Sequence, residues 1–152
     1  YVDTDMLCVT PINAAELTKK NPIRFCARQF NLDWGFNGNF AGLDFSEYDK
    51  LPMGEVFPYV ACATATTNCE IWRQLHEILE RLDSKFKFWY GDQEAIKRYC
   101  AAADLHLEAG LPETVYGCLP DYPDFTAQAA LIHFKGAKRK DGMIHAFKKL
   151  FK

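Results

Sequence analysis

Hydrophobic and polar residues alternate along IRFCARQF (residues 23–30). Alternation with a period of two places the apolar side chains on one face, which is typical of a half-buried strand. Two other segments, YVACATAT (59–66) and ALIHF (130–134), are continuous runs of small or apolar residues and predict buried strands. KFKFWY (85–90) is also expected to be extended.

Helical periodicity is clearest in residues 67–82. Apolar side chains recur there with the spacing of one helix face, at Ile71, Trp72, Leu75, Ile78, Leu79 and Leu82. Thr67 and Glu70 have the spacing of a capping box at the start of this helix. The pattern predicts an amphipathic helix whose apolar face, Trp72 included, packs on the core.

Capping residues predict three more helices. Asn13 precedes a short helix over residues 14–20, and Asp92 is the expected N-cap of a helix that contains QEAIKRYCAAA. Asp141 is the expected start of a last amphipathic helix. Strands and helices therefore alternate along the chain, which indicates an α/β class and a single domain over residues 1–152.

The segment between residues 31 and 58 shows no periodicity. It is rich in Gly, Asn and Asp, and it also carries Trp34, Phe36, Phe40, Phe45 and Tyr48. A loop of this length is either functional or disordered, and the aromatic residues argue against disorder. We therefore expect an ordered segment whose aromatic rings offer stacking surfaces to a ligand.

Composition narrows the class of protein. The 152 residues are 49% hydrophobic and 25% charged, as in globular domains, and no apolar run approaches the roughly 18 residues of a membrane span. The net charge of −2 gives no reason to expect a nucleic-acid partner. Six scattered cysteines without a C-x-x-C pair argue against a zinc site and favour reduced thiols and a cytoplasmic location.

Charge is unevenly distributed. From His133 onward there are seven Lys or Arg residues and one acid. This stretch is either a solvated basic tail or a surface that attracts anions such as phosphates. The last helix, basic on one side and apolar on the other, also leaves contact with a membrane surface open.

Asp3 and Asp5 are the first candidate chemical groups. In an extended chain residues i and i+2 point to the same side, so these carboxylates are expected to converge. Two adjacent carboxylates need a cation or a shared proton between them. Mn²⁺ or Mg²⁺ suits such a pair. A D-x-D arrangement alone is weak, because a chain with this many aspartates contains one by chance.

Three motifs in order, YVDTDM, GDQEAIKRY and IHFKGAKRK, resemble those of GT-A-fold nucleotide-sugar glycosyltransferases of the glycogenin and lipopolysaccharide galactosyltransferase type. The resemblance implies a Rossmann-like mixed sheet flanked by helices. It also implies a metal-dependent transfer of a sugar from a UDP-sugar to a carbohydrate or glycoconjugate acceptor. In that family a nucleotide-binding half precedes the D-x-D motif, so the resemblance implies that this chain is the latter part of such a domain.

The resemblance also implies roles for individual residues. Asp3, Asp5 and His133 would be the metal ligands, with Mn²⁺ or Mg²⁺ as the ion. Asp92 and Gln93 would be the catalytic pair beside the donor sugar. The donor diphosphate would be bound by Asp3, Gly136, Lys138 and Arg139.

Two positions depart from the family pattern. Arg139 stands where the family usually has lysine, and ACATATTN (61–68) lacks the Asn-x-Gly expected in that strand. The second departure leaves the contact with the acceptor without a residue to make it.

Two other functions remain open. Haloacid dehalogenase-type phosphatases also place D-x-D after an apolar strand, but they have Thr or Val where this chain has Leu7, and GDQEAI lacks their second acidic residue. The other alternative is a non-catalytic interaction module.

Overall fold

A computed structural model describes residues 1–150, apart from the side chains of Pro123, Ala137, Lys138 and Leu150. Within these residues the strands are β1 (Met6–Cys8), β2 (Ile23–Ala27), β3 (Asn39–Phe40), β4 (Leu43–Asp44), β5 (Tyr59–Thr66), β6 (Leu111–Pro112) and β7 (Leu131–His133). The helices are α1 (Ala14–Thr18), α2 (Met53–Val56), α3 (Glu70–Glu80), α4 (Gly91–Ala102), α5 (Glu113–Tyr116), α6 (Pro123–Thr126) and α7 (Ala137–Leu150). The protein is therefore of the mixed α/β class that the sequence predicts.

The strands form a mixed arrangement centred on β2. This strand pairs antiparallel with β5 and parallel with β6. The β1 and β7 strands pair antiparallel with each other, and a bridge between Val2 and Ala63 joins the start of the chain to β5. The first residues are thus held between β5 and β7, which decides where the candidate site lies.

The predicted strands at 23–30, 59–66 and 130–134 are confirmed. β2 buries Phe25, Cys26 and Ala27 against β5 and its neighbours. β7 is buried along its whole length, as its continuous apolar sequence indicates. The predicted helix at 14–20 is also present, and the Asn13 side chain accepts a hydrogen bond from the Ala15 N–H, as expected of an N-cap.

Five local predictions are wrong. Asp92 is not the N-cap of its helix, because Tyr90 holds that position and Asp92 is the second residue of α4. Residues 84–87 form a 3₁₀ helix rather than an extended segment, because the Asp83 side chain caps the Lys85 N–H and Phe86 turns into the core. The α3 helix begins at Glu70 with Cys69 as its N-cap, and the Glu70 N–H donates to the Asn68 side chain, so no Thr67–Glu70 box forms.

Trp72 lies on the exposed side of α3, in edge contact with Tyr1. The last helix begins at Ala137, so Asp141 is inside it and not at its start. Gly136, with φ +85°, makes the turn that precedes the helix at this earlier position.

The 31–58 segment is ordered, with its own apolar core. The β3–β4 hairpin, a 3₁₀ helix (Ser46–Tyr48) and α2 enclose buried side chains from Phe36, Phe45, Val56 and Phe57, which pack on Leu82 and Phe86. Most of its rings therefore serve packing. Trp34 is the exception, with 68% of its surface exposed.

The α7 helix lies on the domain through Met143 and Ala146, which pack beside Phe134. Ile144 and Phe147 remain about half exposed. None of the helices in the described part of the chain combines the length and the hydrophobicity needed to cross a membrane.

Candidate metal and ligand site

Asp3 and Asp5 lie at a turn formed by Thr4 and Asp5, not in the extended chain from which their convergence was predicted. The Asp3 N–H donates to the Cys62 carbonyl of β5 over 2.9 Å, and the Asp5 carbonyl accepts from the Phe134 N–H over 2.8 Å. These two bonds fix the turn between β5 and β7. The carboxylates therefore converge because the turn is held on both sides, and not because of strand alternation.

His133 approaches the same point from β7. Its partner across the strand pair is Met6, so the register places it beside Asp5. The His133 Nε2 atom is 3.2 Å from Asp5 Oδ1. One potential ligand atom from each of Asp3, Asp5 and His133 lies within 4.8 Å of the others. The structure thus brings together the three residues predicted as metal ligands, Asp3, Asp5 and His133, which we call the Asp–His group.

Two buried atoms in this group lack a hydrogen-bond partner among the described residues. They are Asp5 Oδ1 and His133 Nδ1. The Nε2–Oδ1 contact is close, but its geometry does not make a hydrogen bond for Asp5 Oδ1. A buried carboxylate oxygen without a partner costs free energy, and a bound cation would remove that cost.

The donor set fits a divalent ion. Two carboxylates and one imidazole supply oxygen and nitrogen ligands, and three protein ligands leave coordination positions open for a substrate. Mg²⁺ prefers oxygen ligands alone, whereas Mn²⁺ accepts carboxylates and lies in the series of ions that bind imidazole. The residues present therefore fit Mn²⁺ better than Mg²⁺.

Asp92 and Gln93, the predicted catalytic pair, line the same cavity as the Asp–His group. This cavity has a volume of about 850 Å³ and is bordered by Asp3, Asp5 and His133. Both residues belong to the first turn of α4, which follows Tyr90 in a left-handed conformation, φ 61°. The position of α4 thus directs both polar side chains into one cleft with the Asp–His group.

Asp92 faces the cleft with its carboxyl group. Its Oδ1 accepts a 2.7 Å hydrogen bond from the Gln93 N–H. Crowding by the protein around the cleft raises the pKa of Asp92, hydrogen bonds from backbone N–H groups oppose that shift, and the charge of Asp3 adds to it. The side chain is nevertheless exposed to solvent on the cleft side, so its carboxylate can accept a hydrogen bond from a ligand.

Gln93 is oriented by Arg28, a residue that the sequence analysis missed. The Arg28 Nη2 donates to Gln93 Oε1 over 2.7 Å, and its Nε donates to the Phe57 carbonyl over 2.6 Å. Since the amide oxygen of Gln93 accepts from Arg28, its NH₂ group remains to donate to a ligand. Arg28 occupies a polar position in the alternation of IRFCARQF, as Arg24 does, so the sequence carries no signal that sets it apart.

Lys135 is the second missed residue. It follows His133 by two positions and also borders the main cavity. Burial lowers the pKa of Lys135, the nearby charge of Glu113 opposes that effect, and the charge of Arg28 adds to it. Sequence reasoning assigned the basic role to the residues after Gly136, although Lys135 belongs to the same IHFKGAKRK motif.

A second cavity of about 640 Å³ adjoins the first. The two share a wall that contains Arg28, Phe40, Tyr90 and Lys135. The second cavity also reaches the exposed ring of Trp34. The second cavity offers space for another ligand beside the Asp–His group.

The other predicted diphosphate-binding residues lie away from the Asp–His group. Arg139 borders the second cavity, where its Nε donates to Asp121 Oδ2 over 2.9 Å. Gly136 borders neither cavity, and a Cβ built on it meets no described atom within 4 Å. The Lys138 side chain lies outside the described residues. The structure therefore does not bring Gly136 or Arg139 to the Asp–His group.

Two buried thiols lie behind the site. The neighbouring Cys26 thiol lowers the pKa of the Cys62 thiol to about 6, the nearby His133 imidazole adds to that shift, and Cys62 in turn raises the pKa of Cys26. No disulfide joins any pair of the six cysteines. The cleft floor thus contains a polarised sulfur next to the imidazole.

Comparisons of this chain with protein-family models, with curated proteins and with solved structures give no match. Any function assigned to the cleft therefore has to rest on its own geometry and chemistry.

Proposed function

We propose that this chain is a metal-dependent glycosyltransferase of the GT-A type, which moves a sugar from a nucleotide-diphosphate donor, a UDP-sugar, to an acceptor hydroxyl. The observation that carries the proposal is that five residues predicted from three separate motifs line one cavity. These residues are Asp3, Asp5, Asp92, Gln93 and His133. Random placement of three motifs separated by about forty to ninety residues would not bring their polar groups together.

The Asp–His group suits the electrostatic demand of such a reaction. Transfer of a sugar from a nucleotide builds negative charge on the departing diphosphate. Mn²⁺ held by Asp3, Asp5 and His133 would supply a Lewis acid for that charge. The buried, unpartnered Asp5 oxygen gives the protein a reason to hold a cation there.

Asp92 and Gln93 would position the donor sugar. The Gln93 amide is fixed by Arg28, so its NH₂ group can donate to a sugar hydroxyl without first reorienting. The Asp92 carboxylate can accept from another hydroxyl or stabilise positive charge that develops on the ring. Its exposed position in the cleft leaves the carboxylate accessible for either interaction.

The test is a calorimetric titration of Mn²⁺ and then UDP into the protein. We expect Mn²⁺ to bind and UDP to bind much more tightly with Mn²⁺ present than without it, in the roughly micromolar to millimolar range of enzyme substrates. Asp5→Asn should weaken Mn²⁺ and UDP at least about 100-fold, because it removes a ligand charge. Asp33→Asn, in an exposed loop, is the control and should leave both affinities unchanged.

Two outcomes would contradict the proposal. One is the absence of Mn²⁺ binding. The other is Mn²⁺ binding that Asp5→Asn leaves intact, which would place the ion elsewhere. If both ligands bind as expected, metal-dependent release of free sugar from a panel of UDP-sugars identifies the donor, whereas release of inorganic phosphate from phosphate esters would support the phosphatase alternative.

A further inference from the structure

Arg28 and Lys135 lie in the wall that separates the two cavities and border both of them. They come from opposite parts of the chain, Arg28 from the residue after β2 and Lys135 from the second residue after β7. Two cationic side chains therefore lie between the Asp–His group in one cavity and Trp34 in the other.

Arg28 is buried without a carboxylate partner in the described structure. Only 6% of its surface is exposed. Its two bonded nitrogens donate to neutral acceptors, the Phe57 carbonyl and the Gln93 amide oxygen. Neutral acceptors orient a guanidinium group but leave its charge uncompensated, which is costly in a buried position.

Lys135 is half-buried, and its ammonium group has no hydrogen bond or ion pair with the described residues. The other cations that border these cavities are different. Lys87 contacts Glu80 over 3.3 Å, and Arg139 is held by Asp121. The lack of a carboxylate partner is therefore a property that Arg28 and Lys135 share.

The carboxylate that acts most strongly on both cations is the buried one of Glu113, which favours their charged forms. Its Oε2 already accepts hydrogen bonds from the Gln29 and Phe30 N–H groups, over 2.7 and 2.9 Å. One carboxylate engaged by backbone groups leaves a net positive charge in the wall. Such a charge, open to two cavities, is suited to an anion.

We propose that Arg28 and Lys135 form a binding site for a phosphate group that is independent of the metal ion. A phosphate oxygen can accept from the guanidinium group and another from the Lys135 ammonium, which compensates both charges at once. The site goes beyond the proposed transfer reaction, because it uses none of the predicted metal ligands and needs no Mn²⁺. Its phosphate could belong to the diphosphate of a donor or to a second, phosphorylated substrate in the 640 Å³ cavity.

The test uses inorganic pyrophosphate as the probe, titrated by calorimetry into protein freed of metal by passage over a chelating resin. No soluble chelator is present, because its own carboxylates would compete. We expect saturable binding that Lys135→Gln weakens about tenfold or more, as the loss of a charge-assisted hydrogen bond implies. Lys87→Gln is the matched control, since it removes a lysine of the same cavity that is paired with Glu80, and it should have little effect.

Arg28→Gln gives a second measurement, interpreted only if its circular dichroism and thermal transition match those of the wild type. Lys135→Gln alone is sufficient, because its half-exposed side chain makes no bond that the fold needs. Absence of pyrophosphate binding, or binding weakened equally by Lys135→Gln and Lys87→Gln, would overturn the proposal. Neither result depends on Mn²⁺ binding. A negative result for the phosphate site would therefore leave the proposed transferase function to its own test.

Competition identifies the source of the phosphate. In the metal-free protein, where pyrophosphate has no Mn²⁺ to chelate, displacement of pyrophosphate by UDP would show that the cation pair binds the donor diphosphate. Simultaneous binding of UDP and pyrophosphate would assign the pair to a second, phosphorylated substrate. Both results support the anion site, and each names a different ligand for it.

Discussion

Single residues determine how the polar groups of the cleft are held. The Asp3 N–H and the Asp5 carbonyl attach one turn to two strands, and Arg28 orients Gln93 through one hydrogen bond. Gly91 has a comparable role for α4. A Cβ at this position would lie 2.2 Å from the Phe86 carbonyl oxygen and 2.7 Å from a methyl group of Leu79.

Gly91→Ala should therefore destabilise the protein by about 3 kcal/mol, because the carbonyl oxygen belongs to the backbone and cannot rotate away. The helix would have to shift, and Asp92 and Gln93 with it, so UDP binding should weaken as well. Urea unfolding and calorimetry measure the two effects. Gly42→Ala is the control: its φ of +78° also disfavours alanine, but nothing lies within 4 Å of the added Cβ. The control should cost about 1 kcal/mol, and equal losses in the two variants would refute the steric argument.

The sequence predicts part of this residue-level picture. Asp3, Asp5, Asp92, Gln93 and His133 were each found through a local motif. Arg28 and Lys135 were not, because their importance depends on what surrounds them. An arginine after a strand and a lysine in a basic run look like solvated side chains until tertiary packing buries them beside each other.

Elements of the 31–58 segment are joined by aromatic packing. The Phe45 ring is fully buried, with its centroid 5.8 Å from that of Phe36 and 5.4 Å from that of Phe86. Phe57 stacks on Tyr90 at 4.5 Å, immediately before α4. The segment therefore supports the helix that carries Asp92 and Gln93.

Phe45→Ala should lower the free energy of unfolding by about 3–5 kcal/mol, the cost of a large cavity in an aromatic core. Urea denaturation at constant pH measures it. Trp34→Ala, in the same segment but mostly exposed, should change stability by no more than about 0.5 kcal/mol. A small loss for Phe45→Ala would mean that this cluster is not part of the cooperative core.

Prediction of elements succeeded where the pattern was strong and failed where a tertiary contact decided the outcome. The alternation in β2 and the small residues of β5 fixed those strands. KFKFWY has high strand propensity, but Asp83 caps its start and Phe86 is drawn into the aromatic core. Trp72 follows helical spacing, yet the face that α3 buries is centred on Ile71, a choice that depends on the neighbouring elements.

For the whole molecule, the arrangement of strands brings distant parts of the chain to one edge. Residues 1–3 lie along β5, β1 pairs with β7, and β7 ends beside the cleft. The α/β class was predictable from alternating patterns. The pairing of the first and last strands was not, because two short strands can pair in several registers and only packing against β5 and α5 selects among them.

The core of the molecule contains ionisable groups that packing keeps neutral. Burial raises the pKa of Cys100 to about 11 and also raises that of Tyr59, its neighbour on β5. Both groups lie in the apolar cluster around Ile71 and Ile96. Their ionisation therefore links the stability of the whole domain to alkaline pH.

Stability should fall as the pH rises above about 9. In the unfolded chain the Cys100 thiol loses its proton near its ordinary pKa of 9.0, whereas the folded protein retains it to about 11. Between these values the unfolded state binds fewer protons, so the free energy of unfolding decreases with pH, by about 2 kcal/mol for this group. Urea unfolding across this range should show a shallower decrease for Cys100→Ala than for wild type. Cys8→Ala removes an exposed thiol and should retain the wild-type slope; identical slopes for all three proteins would exclude Cys100 as the source.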